Sequence, residues 1–227
     1  MEQTRQPKLR MPSQLVLPFG SQPALKREDF IVAPCNEQAL TFIERWPDWP
    51  ARAAAIWGPP DSGKTHLARI FCDRAGARFI SAADLSSIDP SDDAIAVELD
   101  DSPADSERDR KLFALFERPS GTMLLTGRSP PREWLTTLGD LRSRFDALLA
   151  FPVWAPDDHL LAALIKKQFA DRQLDVTDAI VKRLLVHVER TPKAISAFVA
   201  RIDDKALAEK RAVSERLVMD LIDSETG

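Results

Sequence analysis

Gly58-Pro59-Pro60-Asp61-Ser62-Gly63-Lys64-Thr65 satisfies the phosphate-binding loop pattern G-x-x-x-x-G-K-[ST] at every fixed position. The flanks agree with it. Ala53-Ala54-Ala55-Ile56-Trp57 reads as a short buried strand feeding the loop, and Leu67, Ile70 and Phe71 fall on one face of a helix leaving it. Glycines let the backbone curl so that successive N–H groups face phosphate oxygens. The helix N-terminus adds a favourable dipole for the same anion. Lys64 has the reach for the outer phosphates, and the Thr65 hydroxyl has the chemistry to ligate Mg²⁺. A chance glycine-rich turn before a helix is the alternative, and strand, loop and helix in register speak against it. The stretch from Gly58 to His66 is therefore the candidate cofactor-binding segment, implying ATP or ADP with Mg²⁺.

Downstream, Ala94-Ile95-Ala96-Val97-Glu98-Leu99-Asp100-Asp101 reads as a buried parallel strand ending in acids, with Glu98 interrupting the apolar run. At this distance from a phosphate loop, Asp100 is expected in the Mg²⁺ shell and Asp101 to orient or activate water. Arg78-Phe79-Ile80-Ser81 and Thr122-Met123-Leu124-Leu125-Thr126 read as further strands. Thr126 lies at a strand C-terminus, where ligands sit in open α/β sheets; sensing a γ-phosphate and capping the strand are both open to it. Lys111 to Arg118 is amphipathic, and Ala147 to Phe151 reads as a last short strand. Before it, Leu141-Arg142-Ser143-Arg144-Phe145 carries two arginines, either solvated or, across a subunit interface, able to stabilise phosphoryl-transfer charge. Upstream of the loop, Phe30-Ile31-Val32 is an apolar run suited to lie beside a nucleotide base or to end a core strand, and Asn36 is expected to cap a helix over Glu37 to Arg45.

The 227 residues are 44% hydrophobic and 29% charged with a net charge of −4, an ordinary globular composition. That charge gives no support to a chain that wraps nucleic acid or coats a membrane. No membrane-length apolar run or leader pattern is seen, and Cys35 and Cys72 read as free thiols, which together suggest a cytoplasmic protein. The chain divides into a tail (1–27), an α/β nucleotide-binding domain with a parallel sheet (28–154) and a small all-α domain (155–227). Pro152 and Pro156 mark the second boundary. In the helical part Asp157, Thr177, Thr191-Pro192 and Ser214 open four helices with apolar stripes. Lys193, in the first turn of the third, either is solvated or reaches back over the nucleotide. His66, His159 and His187 are scattered and carry no assigned chemistry of their own. In the tail, Gln14-Leu15-Val16-Leu17-Pro18-Phe19 either folds back onto the domain or docks in a partner's groove. In the docked reading Gln14 bonds polar groups, and Leu17 and Phe19 fill an apolar pocket.

The order phosphate loop, strand-end Asp pair, strand-end Thr, Ser-Arg-Phe and helical lid resembles that of AAA+ ATPases of the DnaA/Hda family, from about Asp29 to about residue 222. The resemblance implies an AAA+ P-loop NTPase core in which Phe30-Ile31-Val32 and Asn36 match the nucleotide-base segment. Gly58 to Thr65 match Walker A, Val97 to Asp101 Walker B, and Thr126 with Pro130-Pro131 sensor 1. Arg144, ahead of Arg142, matches the arginine finger, and Lys193 falls where sensor 2 is expected. Gln14, Leu15, Leu17, Pro18 and Phe19 are similar to the sliding-clamp-binding motif of the shorter, Hda-type members. Three differences from DnaA favour that branch: no helix-turn-helix domain follows Gly227, only a polar stretch precedes Walker B, and no helicase-contact domain opens the chain. The expectation is a regulator, most active with ADP, that with the clamp stimulates hydrolysis of ATP held by DnaA. It would bind no specific DNA sequence, and homodimer formation is compatible with it. Lys193 in place of arginine and Arg128 where relatives often carry an acid imply weak intrinsic hydrolysis with binding intact. A loader or remodeller acting directly on DNA is the alternative, and it would want a basic stripe. A small-molecule kinase would want a substrate pocket in place of the lid.

Overall fold

The computed structural model describes residues 25–89, 91–100, 102–172, 176–211 and 213–226. Its centre is a five-stranded parallel sheet in the order β2-β3-β4-β1-β5. The strands are β1 (Ala53–Trp57), β2 (Arg78–Ser81), β3 (Ala94–Glu98), β4 (Thr122–Gly127) and β5 (Leu149–Pro152). Their near-continuous apolar character follows from burial on both faces. Side chains alternate between two layers. Ala54, Ile56, Ala96 and Leu124 pack with α1 (Glu37–Glu44) and α2 (Lys64–Ala75) through Leu40, Ile43, Leu67 and Phe71. Ala55, Ile95, Val97, Met123 and Leu125 pack with α3 (Ser106–Phe116) and α4 (Gly139–Asp146) through Leu112, Leu141 and Phe145. Fully burying one such leucine or phenylalanine is worth about 1.5–3 kcal/mol. This apolar payload holds β1 and α2 in line, and the phosphate loop spans the junction.

Helices α5 (Asp158–Ala170), α6 (Asp178–His187), α7 (Pro192–Ala208) and α8 (Glu215–Thr226) close around their own apolar cluster, including Leu161, Ile165, Leu184, Phe198, Ile202 and Leu217. The caps read from sequence are in place: Asp157 accepts from the Leu160 N–H, Thr177 from Ile180, Thr191 from Ala194 and Ser214 from Leu217. Among the described residues no helix is long and apolar enough to cross a membrane.

Several boundaries differ from expectation. Asn36 precedes α1, but its side chain does not cap it; it accepts the Ala33 N–H and donates to the Ile31 carbonyl, closing the turn before the helix. Phe30-Ile31-Val32 belongs to no strand. It follows a 3-10 turn (Arg27–Asp29), and Phe30 is tucked into the α1/α2 core while Val32 is 45% exposed. The strand-end reading of that run therefore fails. Helix α3 begins at Ser106, well ahead of the amphipathic stretch, because Asp105 caps it by accepting from the Glu107 and Arg108 N–H groups. Strand β3 stops at Glu98; the Leu99 N–H adds one more bond, to the Thr126 carbonyl, and Asp100 lies in the turn that follows. Strand β5 starts at Leu149, since Ala147 is the C-cap of α4.

Candidate functional site

Inner strand β1 delivers the loop at the C-terminal edge of the sheet, beside β4, where the chain turns to opposite sides of the sheet. The Gly58 N–H donates to the Gly127 carbonyl at 3.1 Å, tying the loop to the end of β4. A Cβ on Gly58 would lie 1.9 Å from the Val153 carbonyl oxygen, so no larger residue fits there without displacing β5's exit. Asp61 (φ 58°) and Gly63 (φ 100°) take left-handed conformations that bend the chain into the start of α2. The N–H groups of that first turn have no acceptor within the helix.

Lys64 is 5% exposed, and its Nζ donates to the carbonyls of Gly58 (2.8 Å) and Pro59 (2.9 Å). Asp100 stands 3.6 Å from the same ammonium and 3.8 Å from Arg128 Nε. Thr65 Oγ1 donates to Glu98 Oε1 at 3.2 Å. Thr126 is fully buried at the end of β4, and among the described residues its hydroxyl has no hydrogen-bond partner; the Ser62 hydroxyl, in the loop, is in the same position. Sequence reasoning missed Glu98, treating it as a blemish in an apolar strand. The available signal was its spacing: positions 94, 96 and 98 share the α2 face of the sheet.

These residues fit a polyphosphate with Mg²⁺. The loop offers a buried cation, left-handed curls and first-turn amides, and two buried hydroxyls stand without partners. No group of three or more His, Cys, Asp or Glu side chains among the described residues could hold a metal on its own.

The other sequence candidates are more dispersed. The Phe30 ring meets His66 edge-on at 5.0 Å, and His66 Nε2 lies 2.8 Å from the Lys26 carbonyl oxygen. Burial lowers the His66 imidazole below its ordinary value, more than the Lys26 carbonyl and Asp29 raise it. The ring contact to Phe30 and the bond to Lys26 thus fasten the N-terminal segment to α2. Ile31 is half-buried. Lys193 is exposed in the first turn of α7 and makes no hydrogen bond or ion pair among the described residues. Arg144 is exposed on α4 and donates to Glu117 at 2.6 Å, while Arg142 donates to the Arg132 carbonyl at 2.9 Å. Asp101 and the Gln14–Phe19 segment lie outside the described residues.

No family model and no curated protein matches this chain. Solved structures do. Domain III of the Thermotoga maritima replication initiation protein DnaA matches with a TM-score of 0.73 at 14% identity, over 89% of this chain and 97% of that one. AMPPCP-bound DnaA from Aquifex aeolicus gives 0.70 at 18% identity, over 80% of this chain and 65% of that one. A Thermotoga maritima RuvB variant gives 0.59 at 16% identity, over 84% and 68%. At these identities the likeness is one of fold: the chain has the AAA+ P-loop NTPase fold, a five-stranded parallel sheet with flanking helices.

Proposed function

We propose that this protein is a nucleotide-binding AAA+ regulator of replication initiation that, together with the sliding clamp, stimulates hydrolysis of ATP bound to DnaA. The observation that carries the nucleotide half is Lys64, a buried ammonium that closes a curled loop at the start of α2 with Asp100 3.6 Å away. The fold match to AMPPCP-bound DnaA supports the same half. In this reading the loop amides and Lys64 hold the phosphates of ADP or ATP. Thr65 and Asp100 hold Mg²⁺, which neutralises the phosphate charge when bound. Phe30, Ile31 and Val32 border the base, and Lys193 approaches from the lid. Asp101 orients water and Thr126 hydrogen-bonds near the outer phosphate. Asp100 is engaged by two cations, Lys64 and Arg128, which supports a site that binds well and hydrolyses slowly. In this reading Arg144, exposed on α4, acts on a neighbour's nucleotide, and the Gln14–Phe19 segment makes the clamp contact.

Two experiments separate the halves. Lys64→Ala removes a charge-assisted contact worth about 1.5–3 kcal/mol, so calorimetry should show ADP affinity at least tenfold weaker while the chain still folds. Equal affinity would remove the loop from consideration. Deleting residues 1–20, or changing Leu17 and Phe19 to Ala, should abolish clamp binding in surface plasmon resonance and leave ADP affinity intact. Losing two buried apolar anchors of about 1.5–3 kcal/mol each is enough to take a micromolar peptide contact out of range. Persistent clamp binding by the truncated chain would refute the tail's role.

A further inference from the structure

Glu98 closes β3 and stands in register with Thr126 of β4. Ala94 and Ala96 of β3 and Leu124 of β4 belong to the cluster shared with α2, so alternation puts Glu98 and Thr126 on that same face, toward the first turn of α2. There Glu98 accepts the Thr65 hydroxyl at 3.2 Å, and its register partner Thr126 is fully buried with an unpaired hydroxyl. Ser62, 5% exposed in the loop, presents a second unpaired hydroxyl. Glu98 is the half-buried last residue of an otherwise buried strand, and its carboxylate faces the phosphate loop through Thr65.

A hydroxyl has one proton and two lone pairs. Donating the Thr65 proton to Glu98 leaves the oxygen's lone pairs for a cation. Asp100 is differently employed, with its carboxylate shared between Lys64 and Arg128 at 3.6 and 3.8 Å. We propose that Glu98 is a positioning residue for a divalent cation at the phosphate loop, orienting the Thr65 hydroxyl and supplying negative charge that Asp100 divides between two side-chain cations. This rests on the reading of the loop as a nucleotide site. Its consequence is a change of sign. Without the cation, the Glu98 carboxylate repels a phosphate chain bound at α2; with the cation between them, both are attracted to it.

The test is calorimetric titration of ADP into the full-length chain, as wild type, Glu98→Ala and Glu98→Gln, once with Mg²⁺ and once with EDTA. Wild type should bind ADP more tightly with Mg²⁺. Glu98→Ala should reduce that gain by about 10–100-fold, the usual cost of losing an outer partner of a metal ligand. Its affinity in EDTA should be unchanged or tighter. Glu98→Gln keeps an acceptor oxygen for Thr65 and should recover part of the gain. A wild-type Mg²⁺ gain in Glu98→Ala would overturn the proposal. Equal loss of affinity in both media would also overturn it, showing that Glu98 only props the loop. Wild type that binds ADP equally with and without Mg²⁺ would sink the cation role and leave the nucleotide reading standing. Wild type that binds no ADP in either medium would sink both.

Discussion

Thr126 shows how far a single position can be read. Its place at a strand end was legible, but two roles were open to it, cap or phosphate sensor. A capping hydroxyl would be paired, yet Oγ1 is buried without a partner among the described residues. An unpaired buried hydroxyl costs about 1–3 kcal/mol, which favours a role toward a ligand. Thr126→Val keeps the shape and removes the hydroxyl. Its denaturation midpoint should therefore equal or exceed that of wild type, while the slow hydrolysis of bound ATP drops severalfold. A clear loss of stability in urea melts would mean that the hydroxyl is a structural bond. Gly58, Lys64 and Thr65 were legible because the loop needs those residue types at fixed spacing along the chain. Glu98 was not, because its role comes from Thr65 on another element and from Thr126 across the sheet, and no local pattern encodes either.

At the scale of elements, caps and apolar stripes carried the reading. Asp157, Thr177 and Thr191-Pro192 open their helices as short-range chemistry requires. The start of α3 was missed because its first turn is polar and turned to a buried node. Asp109, fully buried, accepts from Arg108 (2.7 Å), from the Thr136 and Thr137 hydroxyls (2.9 Å each) and from the Thr137 N–H. Arg108 in turn donates to the carbonyls of Ser102 and Leu135. The node thus ties the turn after β3 to the segment leading into α4. Burial alone would raise the Asp109 carboxyl, but the Thr137 N–H, Arg108 and the two hydroxyls together hold it below the ordinary value. A depressed carboxyl contributes stability that is complete above the unfolded value, about 3.9, and is lost as pH falls through the folded one. Asp109→Asn should lower stability at pH 7 by about 3–5 kcal/mol, since it leaves Arg108 buried without its counter-charge. It should also flatten the fall in stability below about pH 4. Urea melts at pH 7 and at several acid pH values check both; an unchanged acid profile would show that Asp109 does not carry the dependence.

Across the whole molecule, the α/β layers and the helical lid each have an apolar cluster of their own, and the N-terminal segment spans them: Asp29 bonds Lys167 of α5 at 2.8 Å while Lys26 holds His66 of α2. The change in hydrophobic period after Pro152 and Pro156 falls where β5 ends and the helices α5 to α8 begin. The N-terminal contacts were not legible, because Asp29 and Lys167 are far apart in sequence. Arg144 lies on the surface of α4, where its side chain pairs with exposed Glu117, and the regulator reading turns on what it does there. An arginine finger acting in trans is worth about 10³–10⁵ in rate. The decisive measurement is single-turnover phosphate release from ATP preloaded on DnaA, with DNA-loaded clamp and either wild type or Arg144→Ala added. The account predicts strong stimulation by wild type and nearly none by Arg144→Ala, with the variant's own ADP affinity unchanged. Full stimulation by Arg144→Ala, or rapid multiple turnover by the wild-type protein alone, would contradict it.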